Sequence, residues 1–252
     1  MIVLLTNDDG IHAPGLKALY RALGQDHQVY VVAPEMEQSA VGHSITLADP
    51  IRVKEIRFED SFAGYALSGT PADCVRIGVS ELIRPRPEAV VSGINVGANV
   101  GLNVLYSGTV SAATEAAILG LPALAVSLDT FTEPDFTYAA DFTRRLVADL
   151  PHLDLAPGAS LNVNLPALPP DQIKGVIWTR QCLSPAGEEF SRRQDPRGKA
   201  YYWRGREIPP DRPDPDSDFS LLGQGYITIT PLQHDLTNYI ELTRLSPHKI
   251  TH

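Results

Sequence analysis

The sequence predicts an α/β protein with a mostly parallel, doubly wound β-sheet. Two observations support this fold class: short continuous apolar runs, which are typical of strands buried on both faces, and helical segments that alternate with them. A length of 252 residues, with 43% hydrophobic side chains, suits one large domain or two small ones. The sequence contains no internal repeat and no heptad pattern.

The first half of the chain alternates strands with helices. The first helix has Pro14 near its first turn and Gly24 as its C-terminal stop. Strands are predicted at 2–6, 29–33, 51–58, 64–67, 89–92 and 123–127, and helices at 14–23, 72–82 and 109–119. This order favours βαβ units and therefore parallel pairing of the strands.

The second half is less regular. Its pattern predicts a helix at 136–150 and strands at 161–165, 176–179 and 225–230. Between the last two strands we expect a long hairpin at 181–206 and an exposed Pro/Asp loop at 209–218. A last helix runs through 245 and is capped by Asp235 or Thr237. We expect a single domain whose core spans about 1–180 and 221–232. The hairpin forms one arm (181–206) and the C-terminus a second (233–252).

The net charge and the number of cysteines limit which partners and which cellular location the protein can have. With 21 Lys and Arg against 30 Asp and Glu, the formal net charge is −9, which argues against a nucleic-acid polymer as the main partner. Cys74 and Cys182 make no disulfide framework and fit a reducing cytosol. The N-terminus lacks a signal-peptide pattern, and the longest apolar stretch (116–128) is too short to span a membrane. We therefore expect a soluble, cytoplasmic protein with no membrane partner.

The predicted hairpin region has the opposite charge to the chain as a whole. Residues 180–206 contain seven bases and three acids, for a formal charge of +4. One interpretation is a solvated hairpin. The other is an arm that lies over a site for an anionic substrate or exchanges between subunits.

The strongest local feature is Asn7-Asp8-Asp9-Gly10, directly after the first strand. Ligands in open α/β sheets bind at the carboxyl ends of the strands. Two adjacent carboxylates are either screened by water on an open turn or neutralised by a bound cation. Because Asn, Asp and Gly are also the standard turn residues, the tetrapeptide alone leaves both interpretations open.

Three further loops offer polar groups. The loop at 35–46 offers Ser39 as a ligand or donor, with His43 as a surface or supporting residue. The loop at 92–101 has glycines at 93, 97 and 101, with amide oxygens on Asn95 and Asn99, but no dinucleotide-binding spacing. Ser107-Gly108-Thr109 opens a helix, either as an anion site or as a plain cap.

Taken together, these loops predict one site. Parallel topology places them at the same edge of the sheet, where they offer two carboxylates, an amide oxygen and a hydroxyl. Hard oxygen donors favour Mg²⁺, Mn²⁺ or a similar ion over a structural Zn²⁺. A cation beside a helix N-terminus suits a phosphate group, which points to metal-assisted hydrolysis of a phosphoester.

The whole pattern resembles the SurE family of stationary-phase survival nucleotidases (5′/3′-nucleotidases). The matching segments run in family order over nearly the entire chain. They are TNDDG (6–10), GHSIT (42–46), SGTPADCV (68–75), VVSGINVGANVG (90–101), YSGTVSAATEA (106–116), LNVNLP (161–166) and GYITITPL (225–232). The region at 181–220 is the least similar to the family.

The resemblance implies a Rossmann-like three-layer α/β/α fold, with a protruding hairpin and a C-terminal helix that swaps between subunits of a homodimer or homotetramer. It implies one divalent metal ion per subunit, held by Asp8, Asp9, Ser39 and Asn95, and a phosphate-binding loop at Ser107, Gly108 and Thr109. Its substrates would be nucleoside 5′- and 3′-monophosphates, and in some members short polyphosphate.

The sequence leaves the chemical roles open. We assign catalysis to Asp8, Asp9 and Asn95, with Asn7, His43 and Asn99 supporting them, but either aspartate could be the base or nucleophile. An aspartyl-phosphate phosphatase is disfavoured because its motif separates the two acids by one residue. A non-catalytic nucleotide-binding regulator is the alternative from another functional class.

Overall fold

The computed structural model of the protein describes residues 1–57, 63–132 and 134–246, with 206 and 207 described by their backbone only. The strands are β1 (Ile2–Thr6), β2 (Gln28–Pro34), β3 (Val53–Arg57), β4 (Ala63–Leu67), β5 (Ala89–Val96), β6 (Ala123–Asp129), β7 (Ala159–Pro166), β8 (Val176–Trp178), β9 (Gly187–Gln194), β10 (Ala200–Ile208) and β11 (Ile227–Gln233). The helices are α1 (Pro14–Leu23), α2 (Pro71–Ile77), α3 (Gly108–Ile118), α4 (Thr137–Asp149), α5 (Asp218–Gly223) and α6 (Tyr239–Leu245).

One mostly parallel sheet organises the protein. Its strand order is β3-β4-β2-β1-β5-β6-β7-β11-β8, and only the β3–β4 and β7–β11 pairs within it are antiparallel, as far as the described residues show. The chain passes from β1 to β2 on one side and later returns to β5 on the other, so the strand order reverses between β1 and β5. Ligand crevices in open α/β sheets form at such a switch point, outside the carboxyl ends of the strands.

Helices cover both faces of the sheet. Val3 and Leu5 of β1 pack into one buried cluster together with α1 and α4, and Leu4 packs into a second cluster together with α2 and α3. This alternation follows from the twofold repeat of side chains along a strand. Each fully buried leucine contributes about 1.5–3 kcal/mol. The three layers and the mostly parallel sheet confirm the predicted fold class.

Several element boundaries differ from the sequence prediction. The strand expected to end at Ser92 continues as β5 to Val96, with a register shift against β6 between Ser92 and Asn95. Asn95 therefore lies at the end of a strand and not in the following loop. The helix expected at 72–82 ends as α2 at Ile77 and continues as a short π-helical turn.

The C-terminal part also departs from prediction. The Pro/Asp loop was expected to be exposed throughout, but Ser217 and Asp218 are fully buried, and Asp218 begins α5. Helix α6 is capped by Asn238, whose side chain accepts a hydrogen bond from Glu241 N, so the expected cap at Asp235 or Thr237 is wrong. The predicted strand end at Phe58 and the C-terminal arm beyond residue 246 lie outside the described residues.

The hairpin forms a separate two-stranded sheet. Strands β9 and β10 pair antiparallel. The hairpin spans Gly187 to Ile208, whereas the sequence predicted a span of 181–206. The side chain of Arg206, which the sequence-based charge count includes, lies outside the described residues. No helix within the described ranges is long and apolar enough to cross a bilayer.

Candidate active site

The two aspartates after β1 lie where burial and crowding oppose a negative charge. Asp8 is 6% exposed, and burial raises the pKa of its carboxyl against an opposing hydrogen bond from Thr109. The pKa of Asp9 is raised to about 7 by burial and by the charges of Asp8 and Glu37. A bound cation would stabilise the ionised form of such a pair.

Asp8 connects the aspartate turn to two other loops. Its Oδ1 accepts a hydrogen bond from Thr109 Oγ1 at the start of α3, and its backbone oxygen accepts one from Gln38 N at 2.7 Å. Gly108 packs so closely that a Cβ there would lie 2.8 Å from Asp8 Cβ. The start of α3 is therefore in direct contact with this carboxylate.

Asn7 stabilises the aspartate turn from within the fold. Its side chain is fully buried, and its Nδ2 donates to Gly10 O at 2.9 Å. Gly10 adopts a φ of +95°, a conformation that side chains disfavour, and a Cβ there would lie 3.3 Å from the Met36 carbonyl carbon. Asn7 thus shapes the turn that presents Asp8.

Ser39 lies exposed on the loop after β2. Its Oγ donates a hydrogen bond to Glu37 Oε1 at 2.5 Å, which leaves the lone pairs of the hydroxyl oxygen available to a ligand. The same loop is attached to the segment before α3, because Gly42 N donates to Tyr106 O at 3.0 Å.

His43 connects this loop to α3 and does not line the cleft. Its Nε2 lies 2.7 Å from Glu115 Oε2, and Arg76 of α2 donates to Glu115 Oε1 at 3.0 Å. Glu115 is buried on α3, and the hydrogen bond with His43, followed by the charges of His43 and Arg76, lowers the pKa of its carboxyl despite burial. His43 therefore positions the Ser39 loop.

Asn95 is oriented by backbone acceptors at the end of β5. Its Nδ2 donates to Gly97 O at 2.7 Å and to Val96 O at 3.2 Å. With the amide nitrogen occupied in this way, the amide oxygen is the atom left to bind a ligand.

Asn99 serves to fix the glycine-rich loop. Its backbone N donates to Asn164 Oδ1 at 2.8 Å, its Nδ2 donates to Ser127 Oγ at 2.9 Å, and its backbone oxygen accepts from Asn162 Nδ2 at 2.7 Å. Buried polar groups paired in this way fix one conformation of the loop. Asn99 also contributes to the wall of the cleft.

Ser107 is the N-cap of α3. Its hydroxyl accepts a hydrogen bond from Val110 N at 3.1 Å, and Thr109 Oγ1 is directed at Asp8. Ser107 Oγ only accepts in this bond, so its O–H can still donate to an anion at the helix start.

These elements surround a cleft of about 330 Å³. The predicted residues that line it are Asp8, Ser39, Asn95, Asn99 and Ser107. The predicted residues outside the lining are Asn7, Asp9, His43, Gly108 and Thr109. Arg204 of the hairpin also lines the cleft, which brings a positive charge over the site, and it pairs with Glu188 of β9.

The donor chemistry of the cleft fits a hard cation. A carboxylate, a hydroxyl oxygen and an amide oxygen line it, and burial raises the pKa of both Asp8 and Asp9, so a bound cation would be needed to favour their ionised forms. No group of three or more His, Cys, Asp or Glu suited to a metal occurs in the part of the chain that the structure describes. The Ser and Asn oxygens would therefore complete any metal site.

A family model described as Survival protein SurE matches residues 3–188, which is most of the chain. The chain belongs to the SurE family. The resemblance predicted from the sequence motifs is therefore confirmed.

Similar proteins support the same membership over nearly the full length. A protein of Syntrophobacter fumaroxidans named 5′-nucleotidase SurE is 54% identical over 239 residues, covering 95% of this chain and 96% of the relative. One of the same name from Syntrophus aciditrophicus is 52% identical over 97% of this chain and 92% of the relative. The crystal structure of a SurE protein from Aquifex aeolicus aligns with a TM-score of 0.85 at 36% identity, over 98% of this chain and 99% of that one.

Sequence reasoning missed an important support of the SurE site, Asp218. It accepts hydrogen bonds from Gly101 N at 3.0 Å and Cys182 N at 2.9 Å, while Gln181 Nε2 donates to Gly101 O at 2.7 Å. Burial raises the pKa of the Asp218 carboxyl against these backbone bonds. The sequence pattern that could have indicated this residue is Ser217-Asp218 before an apolar run, which is typical of a helix start.

Proposed function

We propose that this chain is a divalent-metal-dependent phosphomonoesterase that hydrolyses nucleoside 5′-monophosphates to nucleoside and phosphate. The observation that carries the proposal is 54% identity over 239 residues to a relative named 5′-nucleotidase SurE. The oxygen donors of the cleft and the adjacent start of α3 support it. Nucleoside 3′-monophosphates and short polyphosphate are further proposed substrates.

In this proposal Asp8, Asp9, Ser39 and Asn95 hold one divalent cation per subunit, with Mg²⁺ or Mn²⁺ as the candidates. The bound cation would neutralise charge on the phosphate and lower the pKa of a bound water. The donor set supports this assignment, since its lining members offer oxygen atoms alone.

The chain's own groups bind and orient the phosphate. The Ser107 hydroxyl and the positive end of the α3 dipole would hold phosphate oxygens, with Gly108 leaving room beside Asp8. Thr109 holds the Asp8 carboxylate in place, and Arg204 adds a positively charged group to the wall of the cleft.

The test is phosphate release from AMP, measured without metal, with Mn²⁺ or Mg²⁺, and after addition of EDTA. We expect release only with a cation, loss on chelation, and recovery when the cation is restored. A non-catalytic nucleotide-binding regulator is not favoured, because the relatives are named as nucleotidases. Binding of AMP without phosphate release under every metal would restore that alternative.

We also propose that the protein is a homodimer or homotetramer whose C-terminal segment contacts a neighbouring subunit. Helix α6 has no buried residue, and Leu236, Ile240 and Leu242 on and beside it are exposed although apolar. Such residues are typical of a segment covered by a partner.

Deleting the chain from Asp235 onward is expected to reduce the assembly state, because it removes this apolar segment. Sedimentation velocity measures the change. A matched deletion after Ser246 keeps α6 and should sediment like the full chain. If the longer deletion also sediments at the wild-type size, the C-terminal contact is wrong.

The proposal includes a cytoplasmic location and excludes a nucleic-acid polymer or a membrane as a partner. Support comes from the formal net charge of −9 and from Cys74 and Cys182, both free and buried. Fractionation of the native host cells would test the location.

A further inference from the structure

A second cavity opens beside the cleft. It has a volume of about 480 Å³ and shares four wall residues with the cleft. The shared residues are Ala98, Asn103, Tyr106 and Phe131. The two cavities are therefore adjacent, and a ligand whose phosphate lies in the cleft would have the second cavity beside it.

The two cavities differ in charge. The cleft contains Arg204, whereas none of the described residues that line the second cavity is Lys, Arg or His. Its walls include apolar side chains, among them Val100, Leu102 and Phe219, together with the acids Asp129 and Glu188. Glu188 pairs with Arg204, and with no base of its own such a cavity disfavours a phosphate and suits an uncharged, flat group with hydrogen-bond donors.

Phe131 lies on the wall between the two cavities. It is 82% exposed and lines both cavities. Its ring edge packs against the glycine-rich loop, since a Cβ on Gly97 would lie 2.7 Å from Phe131 Cε1. The ring is therefore held near the backbone of the loop while most of its surface is open.

We propose that the nucleobase of a nucleoside monophosphate binds in the second cavity and stacks on Phe131. Every base has a π-face that stacks on an aromatic ring, so Phe131 would determine specificity for nucleotides over other phosphate esters without selecting one base. This inference rests on the proposed nucleotidase function and adds the position of the base.

Two substrates separate the role of the base from that of the phosphate. AMP and ribose 5-phosphate share the phosphate and the sugar, and only AMP has a base. Phe131→Ala is expected to lower kcat/KM for AMP about tenfold or more, mainly through KM, because base stacking is lost. Hydrolysis of ribose 5-phosphate should stay at the wild-type rate, and Phe131→Tyr should retain activity on AMP.

Leu47→Ala serves as the matched control, because Leu47 is also apolar and exposed but lines neither cavity. It should leave both substrates unaffected. Equal losses on AMP and ribose 5-phosphate in Phe131→Ala would show that the ring supports the loop and does not bind the base. An unchanged KM for AMP would place the base elsewhere. A wild-type protein that hydrolyses neither substrate would overturn the proposed function itself, and the base site with it.

Discussion

Asp8→Asn is expected to lower metal-dependent phosphate release from AMP by at least about 100-fold, since even changes behind the ligands of a metal cost about 10–100-fold. Asparagine keeps the size of the side chain and can accept the hydrogen bond from Thr109. It lacks the charge that a divalent cation requires. Asp9→Asn is expected to act in the same direction, and both variants are measured as kcat/KM with Mn²⁺.

Thermal denaturation gives a readout that is independent of turnover. A ligand that binds only the native state raises Tm by mass action, so wild type should gain Tm on addition of Mn²⁺. Asp8→Asn should lose this gain. Without metal the variant should melt at or above the wild-type temperature, because it removes a buried carboxyl whose ionised form burial disfavours.

The matched control is Asp171→Asn, an exposed aspartate on the short turn at 170–172. It makes the same chemical change away from the cleft, so both the activity and the Mn²⁺-induced rise in Tm should match wild type. Near wild-type turnover by Asp8→Asn under Mn²⁺ would contradict the assignment of Asp8 as a metal ligand.

The sequence predicted the convergence of the site because parallel strands share one edge. Asp8, Ser39 and Asn95 follow β1, β2 and β5 or lie at their ends, and these strands are neighbours in the sheet. Buried strands are visible as continuous apolar runs, so their carboxyl ends can be placed without knowing the tertiary fold. Strand order was not needed for this prediction.

The contacts that fix the site depended on tertiary packing and were not predicted. Asn162 and Asn164 alternate within the apolar strand β7, which places both side chains on one face, but only the fold shows that Asn99 lies there. Asp218 is a similar case: its loop composition indicated exposure, whereas its carboxylate satisfies buried N–H groups of Gly101 and Cys182.

The charge count of the hairpin region illustrates the same limit. The formal +4 of residues 180–206 counts only the acids within that segment. Arg180 instead pairs with Asp214 and Asp216, which lie outside the counted segment, and Arg204 pairs with Glu188. Only the Arg180 contacts lower the excess, because Glu188 is already one of the three acids in the count. Arg204 reaches the cleft as one member of an ion pair.

The second large effect, a loss of stability, is expected from Gly15→Ala. Gly15 lies in α1 at the point where this helix packs against the end of β5. A Cβ on Gly15 would lie 2.2 Å from the backbone oxygen of Ile94, closer than real contacts allow. Because both partners are main chain of packed elements, α1 must move away from β5. Overpacking of this kind costs about 1–3 kcal/mol, which corresponds to a drop in Tm of roughly 2–12 °C for a domain of this size.

The same displacement should reach the site, because Ile94 immediately precedes Asn95. We therefore expect Gly15→Ala to lower kcat/KM for AMP together with Tm. Gly223→Ala is the matched control, since Gly223 ends α5 and a Cβ there would meet nothing within 4 Å. Its Tm should stay unchanged or rise slightly, because alanine loses less backbone entropy on folding. If the two variants melted alike, the close approach of α1 to β5 would not be what holds Asn95 in position.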